Sequence, residues 1–145
     1  KYLNHKPPFL FLDNILDLQP GKICKANLNL NPEKWFFKCH YPNYPVMPGV
    51  LLLEAMSQAM VLTISSTENY KKNDGADVLL HSISNAKFKR EALPGMQISI
   101  TATILSFKRG IAKGYLICEE KDTIICSCEQ IIVVPNLIKS IKERS

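Results

Sequence analysis

The chain has 145 residues, 46% of them hydrophobic, and a formal charge of +5 at neutral pH, which fits one globular domain with a single core and excludes a disordered chain. Five cysteines, Cys24, Cys39, Cys118, Cys126 and Cys128, with no C-x-x-C pair argue against a disulfide framework or a zinc site and point to a reducing, cytoplasmic setting. The basic residues are scattered rather than interleaved with aromatics, which counts against nucleic acid. No basic-then-apolar leader opens the sequence, and its longest apolar stretch, Val50 to Ile64, is too short and polar for membrane insertion.

The first element to declare itself is a strand within "PGKICKANLNLNPE". There Ala26, Leu28 and Leu30 alternate with Lys25, Asn27 and Asn29 between Pro20-Gly21 and Asn31-Pro32. A proline-punctuated loop, "CHYPNYPVMPG", leads into the apolar run "VLLLEAMSQAMVLTI". Its apolar residues cover nearly the whole circumference of a helix, so that helix is expected to have protein on most sides. After the polar loop "STENYKKNDGAD", with its turn signal at Asn73-Asp74-Gly75, come "VLLHSISNAKF", "QISITATILSF", "IAKGYLICE" and "TIICSCEQIIVV". These read as four strands, and the short gaps between the last three predict antiparallel pairing. The tail, residues 136–145, is basic and reads as a frayed helix or disorder. The economical arrangement is α+β: a long central helix wrapped by a curved antiparallel sheet, in a single domain over 1–145.

Glu54 is the anomaly. A carboxylate in the middle of a buried helix is costly unless it is paired or hydrogen-bonded. Ser57 and Gln58, three and four residues on, share its stripe. One reading is structural, a carboxyl bonded to Gln58 or paired across an interface. The other is chemical, because His40 lies upstream on a backbone restricted by Pro42, Pro45 and Pro48, and a rigid imidazole beside a buried carboxyl makes an acid-base pair. Pro48-Gly49 starts the helix, where first-turn amides lack intrahelical acceptors. A glycine there admits close approach of an oxygen that gathers negative charge, although Pro-Gly also serves simply to begin a helix.

"FFKCHYPNYPVMPGVLLLEAMSQ", with "HKPPFLFLDNILDLQPGK" before it and "ISNAKFKREALPGMQISI" after it, resembles the β-hydroxyacyl-(acyl carrier protein) dehydratases of fatty-acid synthesis, in their shorter, glutamate-containing branch. The resemblance implies a hot-dog fold, dimers joined edge to edge and often hexamers built from three of them, with His40 of one subunit beside Glu54 of its partner. It implies reversible dehydration of a 3-hydroxyacyl-(acyl carrier protein) to the trans-2-enoyl form, with His40 as base, Glu54 as acid, the Gly49 amide as oxyanion donor and Gln58 orienting Glu54. The implied partner is the acidic carrier protein, docking near Lys87, Lys89 and Arg90. No metal or organic cofactor is implied.

Three positions depart from the family's pattern: Cys39 where glycine usually precedes the motif histidine, Tyr41 where phenylalanine usually follows it, and Met96 where an acidic residue usually follows the second Pro-Gly. A side chain at residue 39 would strain the loop if the backbone there needs positive φ. These departures leave other readings open: a paralogue dehydrating a specialised acyl chain, a hot-dog thioesterase, or a non-catalytic acyl-binding module.

Overall fold

The computed structural model describes residues 3, 5–68, 70, 77–135 and 137. The Asn73-Asp74-Gly75 turn and, Leu137 apart, the tail 136–145 lie outside the described residues.

Among the described residues six strands, β1 (Asn14–Gln19), β2 (Ile23–Asn29), β3 (Leu79–Phe88), β4 (Gln97–Lys108), β5 (Ile111–Glu120) and β6 (Thr123–Val133), form one sheet against the long helix α2 (Gly49–Ser65), which the short helix α1 (Trp35–Cys39) precedes. The sheet order is β1-β2-β4-β5-β6-β3, and every neighbouring pair is antiparallel. The hairpins β4–β5 and β5–β6 follow the short gaps in the sequence. The return of β3 to pair with β6 is a long-range contact that leaves β1 and β3 as the two edges.

Alternation decides the inner face. Cys24, Ala26 and Leu28 of β2, Ile98, Ile100 and Ala102 of β4, and Ala112, Leu116 and Cys118 of β5 are buried, and α2 lies against them. From Ala55 to Ser65 every residue of the helix is buried, which is the enclosure its all-round apolar pattern requires. Small residues set the spacing: a Cβ on Gly114 would stand 3.0 Å from Met60 Sδ and Cε and 3.3 Å from the Thr103 carbonyl. Filling a contact of that kind costs about 1–3 kcal/mol.

The two ends of α2 are finished differently. At the C-terminus the Gly21 amide donates to the Thr63 carbonyl at 2.8 Å. The hydroxyls of Thr63, Ser66 and Thr67 donate to the carbonyls of Met60, Thr63 and Ile64. At the N-terminus Pro48 occupies the cap with no side-chain cap hydrogen bond. Edge strand β3 contrasts with the rest of the sheet, because nine of its ten residues are exposed, Leu79, Leu80, Ile83 and Phe88 among them.

Candidate active site

The proline loop is pinned at both ends. His40 caps α1, its amide donating to the Phe36 carbonyl at 3.2 Å, and the Met47 amide donates to Ala92 at 2.9 Å, with the Met47 side chain buried. The Tyr44 hydroxyl donates to Glu91 Oε2 across the same gap. Within this frame His40 Nδ1 lies 3.1 Å from the Val46 carbonyl. A carbonyl only accepts, so in the neutral imidazole the proton is on Nδ1 and the lone pair on Nε2, the arrangement a general base needs. Tyr41 stacks on the imidazole, with ring centroids 4.0 Å apart.

Cys39, in place of the usual glycine, ends α1. Among the described residues the non-glycine positions with positive φ are Asn85, Arg109, Lys121 and Asp122; Cys39 is not one of them. The backbone therefore does not require glycine there, and the side chain does not strain the loop. Met96 sits in a turn whose amide bonds run Met96 to Leu93 and Leu30 to Met96, at 3.2 and 2.9 Å, beside Gly95 with its φ of +90°.

At the start of α2 the carbonyl of Pro48 accepts from Leu51 and Leu52 at 3.0 and 3.2 Å. Among the described residues the amides of Gly49 and Val50 have no acceptor, so two N–H groups at the positive end of a 17-residue helix stay available to a ligand oxygen. Glycine at residue 49 has a second cause. A Cβ there would fall 2.7 Å from Phe88 Cε1, so the ring at the end of β3 rests on the bare backbone.

Glu54 is part-buried and accepts at Oε2 from Gln58 Nε2 at 3.0 Å, a contact set by their four-residue spacing. Gln58 is fully buried and uses its whole amide: Nε2 also donates to the Phe9 carbonyl at 2.7 Å, and Oε1 accepts from the Phe11 amide at 3.0 Å. The same oxygen of Glu54 has a neighbour the sequence did not announce, His5 Nε2 at 3.4 Å. Among the described residues no ion pair within one chain joins His40 to Glu54. A cavity of about 520 Å³ opens beside the N-terminal segment. His5, Leu10, Leu12, Ile15 and Leu62 line it, and neither His40 nor Glu54 does.

The basic stretch is only partly free. Arg90 Nη2 donates to Glu120 Oε1 at 3.1 Å, so its charge is neutralised locally, while Lys87 and Lys89 are exposed at the end of β3 and just beyond. Burial pushes the thiols of Cys118 and Cys126 up to about 12 and that of Cys24 to about 11, which keeps them protonated and unreactive at neutral pH.

A long helix held in a curved antiparallel sheet defines a protein of the hot-dog fold. Residues 3–129 match the FabA-like domain, and the chain belongs to that family. It is 37% identical over 127 residues to a 3-hydroxyacyl-[acyl-carrier-protein] dehydratase FabZ of Saccharophagus degradans, covering 88% of each chain. It is 41% identical over 113 residues to the FabZ of Nitrosospira multiformis, covering 78% of this chain and 77% of that one. Its fold superposes on a chain of the dehydratase heterocomplex ApeI:P from Xenorhabdus doucetiae with a TM-score of 0.81 at 14% identity, over 99% of this chain and 95% of that one. It also superposes on the HP0420 homologue from Helicobacter felis with a TM-score of 0.68 at 14% identity, over 91% and 94%.

Proposed function

We propose that this protein removes water reversibly from a 3-hydroxyacyl chain carried on acyl carrier protein, giving the trans-2-enoyl thioester, as a step of fatty-acid elongation. The observation that carries the reading is the 3.1 Å contact of His40 Nδ1 with the Val46 carbonyl, which in the neutral imidazole puts the proton on Nδ1 and leaves Nε2 to take the α-hydrogen of the substrate. As that C–H bond breaks, charge builds on the thioester oxygen, where the Gly49 amide and its neighbour Val50 donate. The Cα=Cβ bond forms, the β C–O bond breaks, and Glu54 supplies the proton with which the hydroxyl leaves as water. The proton gained by His40 and the one lost by Glu54 balance, and the reverse step restores both.

The base and acid are not joined within one chain, and β3 presents an unpaired edge with exposed Leu79, Leu80, Ile83 and Phe88. Both features support a dimer in which β3 meets β3 and His40 of one copy works with Glu54 of the other. Exposed Lys87 and Lys89 near Phe88 suit the docking of an acidic carrier, with Arg90 contributing less because of Glu120. Five free cysteines suit a cytoplasmic setting.

The test follows enoyl-thioester absorbance with 3-hydroxybutyryl and longer 3-hydroxyacyl thioesters. Wild type should equilibrate the two forms, and His40→Ala and Glu54→Gln should each be nearly inactive alone. Mixing and reassociating the two inactive variants should restore activity, since a mixed dimer contains one intact pair. Turnover unaffected by either substitution would overturn the assignment, and failure of the mixture to recover would place both residues in one subunit's site.

A further inference from the structure

Beyond His40 and Glu54, the N-terminal segment delivers a third ionisable side chain to the site. It is fixed rather than loosely draped. The amides of Phe9 and Leu10 close on the Lys6 carbonyl at 2.8 and 3.1 Å, Trp35 Nε1 donates to the Pro8 carbonyl at 3.3 Å, and Gln58 clamps Phe9 and Phe11. Phe9 and Phe11 continue the anchoring through tilted ring contacts that reach Phe36. The His5 imidazole lies nearly parallel to Phe9, at an interplanar angle of 20°. Its Nε2 is then 3.4 Å from Glu54 Oε2.

That contact is longer than an aligned hydrogen bond and sets the edge of the imidazole against the carboxyl. The other nitrogen, Nδ1, is buried with no hydrogen-bond partner among the described residues, so Glu54 is the one polar side chain the ring meets through Nε2. Oε2 of Glu54 thus lies between two nitrogens, Gln58 Nε2 at 3.0 Å and His5 Nε2 at 3.4 Å. Oε1 has no partner among the described residues. Contacts on one oxygen hold the carboxyl in place and leave the other oxygen open to a ligand.

We infer that His5 is a positioning residue for Glu54: together with Gln58 it holds Oε2, which leaves Oε1 as the oxygen that meets the departing hydroxyl. The inference rests on the reading of Glu54 as the acid. It gives the N-terminal segment a part in the chemistry, beyond covering the helix.

The experiment compares His5→Phe, which keeps a ring against Phe9 without a nitrogen, with His5→Gln, which restores a side-chain nitrogen at similar reach. Each is assayed with 3-hydroxybutyryl thioester beside Glu54→Gln, and each is checked by thermal melting. His5→Phe should lower kcat about 10- to 100-fold, the scale of a misplaced catalytic group, with KM and melting temperature close to wild type. His5→Gln should recover most of that loss. An unchanged kcat in His5→Phe, a loss confined to KM, or equal impairment in the two variants would overturn the inference. Should His5→Phe not fold, His5→Ala takes its place against the same rescue. Loss of activity in Glu54→Gln with none in His5→Phe would sink the role of His5 alone, whereas a fully active Glu54→Gln would remove the acid assignment and this inference with it.

Discussion

The two halves of α2 are one continuous helix built to opposite specifications. From Ala55 onward each residue is buried, and the last carbonyls are met by Gly21 and by three hydroxyls. From Gly49 to Glu54 the helix opens: Val50 is 72% exposed, the cap makes no side-chain hydrogen bond, and two amides have no acceptor among the described residues. The closed half, the Ser65 hydroxyl apart, meets its polar groups within the chain and supplies stability. The open half holds unsatisfied donors and a carboxyl in fixed positions, which is useful only if something from outside the chain completes them. Stability and reactivity are thus separated along the axis of one element, and substitutions in the two halves should separate them as well.

The sharpest test of that separation is in the open half and in the loop that leads into it. His40→Ala and Glu54→Gln should each lower dehydration about 10²- to 10⁴-fold while leaving the urea midpoint where it was; a parallel fall in stability would mean the two halves are not independent. On the sheet face against the closed half the expectation reverses. Gly114→Val drives a side chain into Met60 and the Thr103 carbonyl and should cost about 1–3 kcal/mol of unfolding free energy, with activity per folded molecule retained.

A third test uses pH. In the unfolded chain the buried thiols ionise near their ordinary value of 9.0, whereas in the folded protein Cys24 is held to about 11 and Cys118 and Cys126 to about 12. The unfolded state therefore loses these protons first. Their contribution is fully present below pH 9.0 and is lost progressively as pH rises through that value toward about 12. Urea midpoints of wild type and Cys118→Ala, compared across the alkaline range, should show a shallower decline in the variant. The smallest effect is expected at Cys39. Its backbone is right-handed, so Cys39→Gly should change activity only slightly and lower stability by less than about 1 kcal/mol; a large gain in dehydration would show that the thiol obstructs the site.

Much of this was legible in the sequence because burial imposes a period. β2, β4, β5 and β6 and the enclosed helix carry patterns that local chemistry can set, and the "CHYPNYPVMPG" loop is rigid by composition. β1 is harder to see: "NILDLQ" is an edge strand with five of its six residues exposed, so no inner face imposes alternation. α1 is a five-residue helix, too short for a period, and only the burial of Phe36 and Phe37 marks it. In the site, Glu54 and Gln58 were visible as helix neighbours, whereas the Phe9 and Phe11 contacts of Gln58 span 49 and 47 residues. No local pattern in "HKPPFLFL" announces which carboxyl His5 will meet.

The Gln58 clamp has a consequence for inhibitor design. A compound that reached Glu54 by lifting the N-terminal segment would uncover a buried amide whose acceptor and donor had been matched by Phe11 and Phe9. Each buried polar group left unmatched costs about 1–3 kcal/mol. Such a molecule would therefore need its own donor and acceptor in the spacing of an extended peptide, and a purely greasy scaffold would be rejected there. The clamp screens for peptide-like chemistry from that side, while the open end of the helix, with its two unclaimed amides, is the approach that favours an oxyanion or a thioester mimic.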